Sequence, residues 1–163
     1  MRTIRHHVDR QAREQPAAPY LIAPETGRTL AYGKLREDSE SLGRYLLSQG
    51  LAKGDKVALM LSNSYQAARL FIGVMYAGFT VSPLNLLSQR SQLAYVLEHS
   101  DTRLVFTSTE FFEPLNEVLE KLNHRIELIV IDPDAEFIFD KDALPKVSLP
   151  PLVDHDEAML MYT

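Results

Sequence analysis

Three features of the 163-residue sequence predict an α/β fold, a parallel sheet with helices on both faces. Four short runs, KVALML (56–61), FTVSPL (79–84), RLVFT (103–107) and ELIVI (127–131), are chiefly apolar and read as strands, KVALML without polar alternation. Strands of that texture are covered on both faces, as in parallel sheets. Between successive runs lies a single amphipathic segment of about three turns, the connection expected of right-handed βαβ units. The helical segments on either side of the first run close on glycine, Gly50 and Gly78, the residue that helix C-termini favour.

The elements follow in order. Ile4, Val8 and Ala12 are spaced by four within residues 3–15, which predicts a modest amphipathic helix ending before Pro16. Segments 20–23 and 28–32 flank the turn Pro24-Glu25-Thr26-Gly27, so a small antiparallel hairpin comes next. In KLREDSESLGRYLLSQG, Leu35, Leu42, Tyr45 and Leu46 share one helical stripe. The turn Lys53-Gly54-Asp55 delivers the chain into KVALML. SYQAARLFIGVMYAG then sets Ala67, Leu70, Phe71, Val74 and Met75 at helical spacing, the clearest helix in the chain. SQRSQLAYVLEHS reads as a helix with Ser88 or Ser91 as N-cap and His99 at the favourable C-terminal end. EPLNEVLEKLN reads as another, with Pro114 near its first position. From 133 to 157 the chain is polar and proline-bearing, an irregular crossover. It ends on EAMLMYT, where the uncharged run 158–162 reads as an element buried on both faces that re-enters the core. The whole of 1–163 is expected to form a single α/β domain, since a chain of this length buries a sizeable core.

Composition removes several functions. The apolar fraction of 45% and charged fraction of 24% are those of a globular protein. A net charge of −5, from 17 Lys plus Arg against 22 Asp plus Glu, supplies no field for nucleic acid. No cysteine is present, which excludes disulfides, thiolate metal sites and a cysteine nucleophile. The longest apolar run, 70–81, is shorter than a membrane span and interrupted by Gly73 and Gly78, and the N-terminus lacks the apolar core of a signal peptide. No integral membrane segment and a cytoplasmic location are the expectations.

The common catalytic and phosphate-binding motifs are missing: G-x-G-x-x-G, G-x-x-x-x-G-K-[ST] and G-x-S-x-G do not occur. The five histidines, His6, His7, His99, His124 and His155, show no ligand spacing with acids and read as solvated or capping residues, so no metal site is expected. Asp154, Asp156 and Glu157 read as a charged lead-in to an apolar segment rather than a catalytic carboxylate pair.

Several blocks taken together resemble the opening of the AMP-forming acyl-CoA synthetases, the adenylate-forming ligases. LAYGKL (30–35) stands where that family has L-T-Y-x-E-L. Residues 51–63 fit L-x-x-G-D-x-V-A-x-x-x-x-N, Ala77-Gly78 fits the A-G that ends its helix, and 81–85 (VSPLN) resembles its V-x-x-P-L-N with one residue fewer before the proline. LAYVLEHSDTRLVF (93–106) continues the match, so the resemblance covers roughly 28–163, and its specificity lies in the order of the blocks. Ala31 replaces the Thr or Ser that would cap the first helix, and Lys34 replaces an acidic first-turn residue, departures that cost about 1 kcal/mol and a few tenths more. The family's phosphate loop, Y-T-S-G-T-T-G-x-P-K-G, follows a buried strand, and Tyr162-Thr163 coincides with its first two residues.

The resemblance implies an N-terminal subdomain of a ligase that uses ATP, Mg²⁺ and coenzyme A to activate a carboxylic acid, fatty acids being the leading class. Thr163 is the one nucleotide-binding candidate, and no catalytic residue is assigned. The 163-residue polypeptide alone is expected to bind none of these cofactors tightly and to be inactive, and to self-associate through an exposed sheet edge. Two alternatives stay open: a stand-alone binding or scaffolding module built on the ligase fold, and a Rossmann-type NAD enzyme, which the absent glycine fingerprint disfavours.

Overall fold

A computed structural model describes residues 2–136, 140 and 142–162. Helix α1 (Ile4–Glu14) starts at Thr3, whose hydroxyl accepts the His6 N–H at 3.2 Å. Strands β1 (Pro19–Ala23) and β2 (Arg28–Ala31) form the antiparallel hairpin, turning at Gly27 with φ of 70°. Then come α2 (Tyr32–Ser48), β3 (Lys56–Met60), α3 (Tyr65–Ala77), β4 (Thr80–Pro83), α4 (Arg90–His99), β5 (Thr102–Thr107), α5 (Thr109–Leu119) and β6 (Glu127–Val130).

The second sheet is parallel throughout in the order β4-β3-β5-β6. From β3 the chain winds outward to β4, then returns past β3 to β5 and on to β6. Crossovers of one hand place helices on opposite faces when the winding direction reverses. Accordingly, Val57 and Leu59 of β3 pack toward α2 and α3 with Leu42, Leu46, Leu70 and Val74. Their neighbours Ala58 and Met60 pack toward α4 and α5 with Leu93, Leu97, Leu115 and Val118. Both sides of β3 are core, which is why KVALML shows no polar alternation. Outside the α2–α3 layer, Val8, Ala23, Leu30 and Leu35 join Tyr65 and Tyr76 in a smaller cluster that seats α1 and the hairpin. No helix among the described residues is long and apolar enough to cross a membrane.

Three local expectations need correction. The N-cap of α4 is Gln89, not Ser88 or Ser91: its backbone N–H donates to Gln92 Oε1 at 2.8 Å, while Ser88 N–H is taken by Asn85 C=O at 3.0 Å in the preceding turn. Pro114 lies inside α5, five residues beyond Thr109, rather than near its first position. The helix starts earlier because Phe111, Leu115 and Val118 form one apolar stripe on the sheet, which outweighs the single N–H that Pro114 withholds. Finally, residues 158–162 are not buried on both faces. Exposure alternates along them, with Met159 at 45% and Met161 at 59%, because they lie at the β4 edge and are bridged to it at Val81↔Met159.

Candidate active-site face

Ligands of doubly wound sheets gather at the carboxyl ends of the strands, where the winding reverses. Here that point lies between β3 and β5. The two strand ends are joined there by Thr107 Oγ1, which donates to Met60 C=O at 3.1 Å. The loop after β3 leads into α3, capped by Ser64, whose hydroxyl accepts the Ala67 N–H at 3.2 Å. Beside this point a groove of about 800 Å³ opens over the ends of β3 and β4, with β1 forming its outer wall. Its lining is chiefly apolar, including Ile22, Leu59, Leu61, Phe71 and Leu86, with Asn63, Ser64 and Asn85 as polar points. Ala67 and Phe71, which share the helical stripe with core residues, are half-buried and face this groove. Tyr20 and Tyr65 line it too, and burial raises the pKa of both phenols, so they are neutral donors at ordinary pH. The arrangement can hold an apolar group beside a few neutral hydrogen-bonding groups.

Behind the groove, α2 and α3 enclose a chain of charged and polar side chains. Arg69 Nε lies 3.2 Å from Asp38 Oδ2, with side-chain exposures of 8% and 5%. Asp38 Oδ1 also receives Lys34 Nζ at 2.5 Å, and Lys34 reaches Glu136 Oε1 at 3.4 Å. Desolvation opposes the Lys34 charge, but its bonds to Asp38 and Glu136 raise its pKa overall. The lysine at this helix start is therefore compensated by its own i+4 carboxylate. Gln66, fully buried, donates its backbone N–H to Pro133 C=O at 3.1 Å and its side-chain amide to Ala135 C=O. The network thus fastens the start of the crossover to α3. Charged residues within a helix read as solvated, so the sequence reading missed it; the signal was Asp38 lying between Leu35 and Leu42 on the buried stripe.

At the β4 edge, Val81 N–H donates to Ala158 C=O at 3.0 Å and Leu160 N–H to Val81 C=O at 2.9 Å. The pairing is parallel, so the segment runs toward the carboxyl ends of the strands. Thr163, the nucleotide-binding candidate, lies outside the described residues. Asp156 accepts Lys53 Nζ at 2.7 Å and Val153 N–H at 2.7 Å, and the Lys53 bond leads in lowering its pKa. Asp154 accepts the Arg2 N–H at 3.1 Å, so each carboxylate has its own partner. His124 Nε2 meets Thr102 C=O at 3.0 Å, whereas His6, His7 and His155 are exposed. Among the described residues no three His, Asp or Glu groups are placed to hold a metal ion.

The sequence profile of the AMP-binding enzyme family matches residues 8–163. This chain belongs to that family. As an AMP-binding family member it is 40% identical over 158 residues to a sulfoacetate–CoA ligase of Cupriavidus necator, covering 94% of this chain and 30% of that protein. With a crotonobetaine/carnitine–CoA ligase of Citrobacter koseri it shares 31% identity over 147 residues, 83% of this chain and 28% of the relative. A fatty acyl CoA synthetase structure from Mycobacterium tuberculosis superposes with a TM-score of 0.80 at 22% identity, covering 99% of this chain and 32% of that one. That likeness establishes the shared fold. The chain spans about a third or less of these relatives' lengths.

Proposed function

We propose that this chain is the N-terminal part of an ATP-dependent acid–CoA ligase. The observation that supports it most is the 40% identity to the sulfoacetate–CoA ligase, extending over 94% of this chain. A carboxylate is a poor acyl donor, because its carbonyl is deactivated and oxide would have to leave. In the proposed reaction a carboxylate oxygen attacks the α-phosphorus of ATP, and the bond to pyrophosphate breaks, leaving an acyl-adenylate. The sulfur of coenzyme A then attacks the acyl carbon, a thioester forms, AMP departs and the thiol proton passes to a base. Pyrophosphate departure calls for backbone N–H groups, hydroxyls and cations around the phosphates.

Mg²⁺ would supply charge neutralisation at those phosphates. The described residues offer no matching set of carboxylates, so no metal step is assigned to this chain. Its own residues form the scaffold: β3 and β4 carry the carboxyl-end groove, and residues 158–162 run along β4 toward the same face. In this reading Thr163 is the first hydroxyl of the phosphate loop. In this reading the 163-residue polypeptide, which spans 30% of the sulfoacetate–CoA ligase it resembles, forms no acyl-adenylate by itself.

The test is to incubate the polypeptide, and the longer ligase containing it, with ATP, Mg²⁺ and an acid, then measure acyl-AMP by mass. Sulfoacetate and a fatty acid are the two acids to compare. Acyl-AMP from the longer protein only is expected; acyl-AMP from the isolated polypeptide, or from neither protein with any acid, contradicts the proposal.

A further inference from the structure

Tyr162 lies against α4 rather than pointing into solvent. Its hydroxyl is 2.7 Å from His99 Nδ1, and the two rings meet edge to face with centroids 5.8 Å apart at 87°. His99 in turn stacks on Tyr95, centroids 5.2 Å apart at 22°. Tyr95 and His99 are four residues apart on α4, the spacing that brings helical side chains onto one face. Three rings from two elements therefore interlock. Burial, then the neighbouring Tyr95 and Asp101, raise the Tyr162 pKa, so the phenol stays protonated and can donate to a bare Nδ1 or accept from a protonated one.

This contact stands where the backbone ladder ends. Residues 158–162 meet β4 through one bridge, at Met159, with Leu160 N–H as the last backbone donor onto Val81. Such an edge frays readily unless side chains hold it. Tyr162 also forms one wall of a cavity of about 370 Å³ between α4 and the end of β4, opposite Asn85, Gln92 and Leu93. Parallel pairing directs the chain at this point to the carboxyl end of the sheet.

We propose that His99 is a positioning residue: by holding Tyr162 against α4 it fixes where and in what direction the chain leaves β4, and so the point from which the phosphate loop begins. The last step rests on the proposed function; the clamp itself rests on this chain alone.

Amide exchange on the 163-residue chain separates the two. In Tyr162→Phe and in His99→Leu, the Leu160 amide should exchange about tenfold faster, the loss expected for one side-chain hydrogen bond. Amides of β3 and β5 should not change, which reports an intact fold. His99→Asn, whose side-chain amide can accept or donate in place of Nδ1, should keep Leu160 within about twofold of the parent chain. Equal Leu160 exchange in all four proteins, or His99→Asn as fast as His99→Leu, overturns the clamp. In the longer ligase, His99→Leu should raise KM for ATP about fivefold to tenfold with kcat within about twofold, and His99→Asn should restore it. A fall in kcat with KM unmoved overturns the positioning role. If the longer protein makes no acyl-AMP at all, the functional reading fails, while the exchange result still decides the clamp.

Discussion

On one side of the sheet, α4 and α5 are closed by Leu93, Leu97, Leu115 and Val118, whose attraction to β3 and β5 is non-directional. On the other, α2 and α3 combine an apolar layer with the buried pair Asp38–Arg69, flanked by Lys34, Gln66 and Glu136. A Cβ on Gly43 would stand 2.9 Å from Ala77 Cβ, so the glycine allows the helices to meet. On the α4–α5 side the directional bonds are solvent-exposed ones, Arg90 Nη2 to Glu117 Oε2 at 2.8 Å and His99 to Tyr162, and the buried contact is apolar. On the α2–α3 side a buried ion pair is joined by bonds that hold residues 133–136 to the helices, and Arg5 of α1 donates to Pro150 C=O in the later crossover.

If the polar face works as a unit, Asp38→Ala should be the most damaging single change. Removing one partner of a buried ion pair costs about 3–5 kcal/mol, measurable by urea unfolding. On the apolar face, Leu115→Ala should cost about 2–5 kcal/mol, the range for a fully buried leucine, and the slope with denaturant should not change. A loss on the apolar face well above that on the polar face would reverse the comparison.

The outer layer of the polar face contributes less. Tyr76 donates its hydroxyl to Asp9 Oδ1 at 2.8 Å, and the Arg5 guanidinium lies 5.4 Å from its ring centroid. Tyr76→Phe should cost about 1 kcal/mol. Burial, followed by the bond to Asp9, raises the Tyr76 pKa from its usual 10.0. A folded-state pKa raised in this way adds stability that is complete below pH 10.0 and lost as the pH rises above it. Alkaline denaturation should therefore be less steep above that pH in Tyr76→Phe than in the parent chain.

The smallest effect is a gain. Ala31 precedes α2 in extended conformation without a side-chain cap, so Ala31→Ser should stabilise the protein by about 1 kcal/mol. A loss on thermal unfolding would mean that the i+4 bond from Lys34 to Asp38 already depends on the uncapped start.

The sheet, its helices and the hairpin were legible because they rest on periodicity and turn chemistry, signals carried by neighbouring residues. Val57 to Met60 announced a strand covered on both faces, and Gly78, with φ of 98°, ended α3 as its position suggested. What was not legible depends on partners distant in sequence. Asp38 and Arg69 are 31 positions apart, and neither looks buried until α2 meets α3. The start of α5 was misplaced because Pro114 is a strong local signal, while the stripe from Phe111 to Val118 needs the sheet to have meaning. Residues 158–162 looked like a core element by composition, yet their exposure is set by an edge position at β4. The groove shows the same limit: Phe71 belongs to the apolar stripe of α3, but β1 brings a wall opposite it.

A double-mutant cycle on Asp38→Leu and Arg69→Met, followed by urea unfolding of the 163-residue chain, tests most directly whether the polar face is one unit. The expected result is a coupling energy of about 2–3 kcal/mol, the double variant being much more stable than the sum of the single losses implies. Additivity within about 0.5 kcal/mol would contradict it, and would make α2 and α3 an apolar pair like α4 and α5.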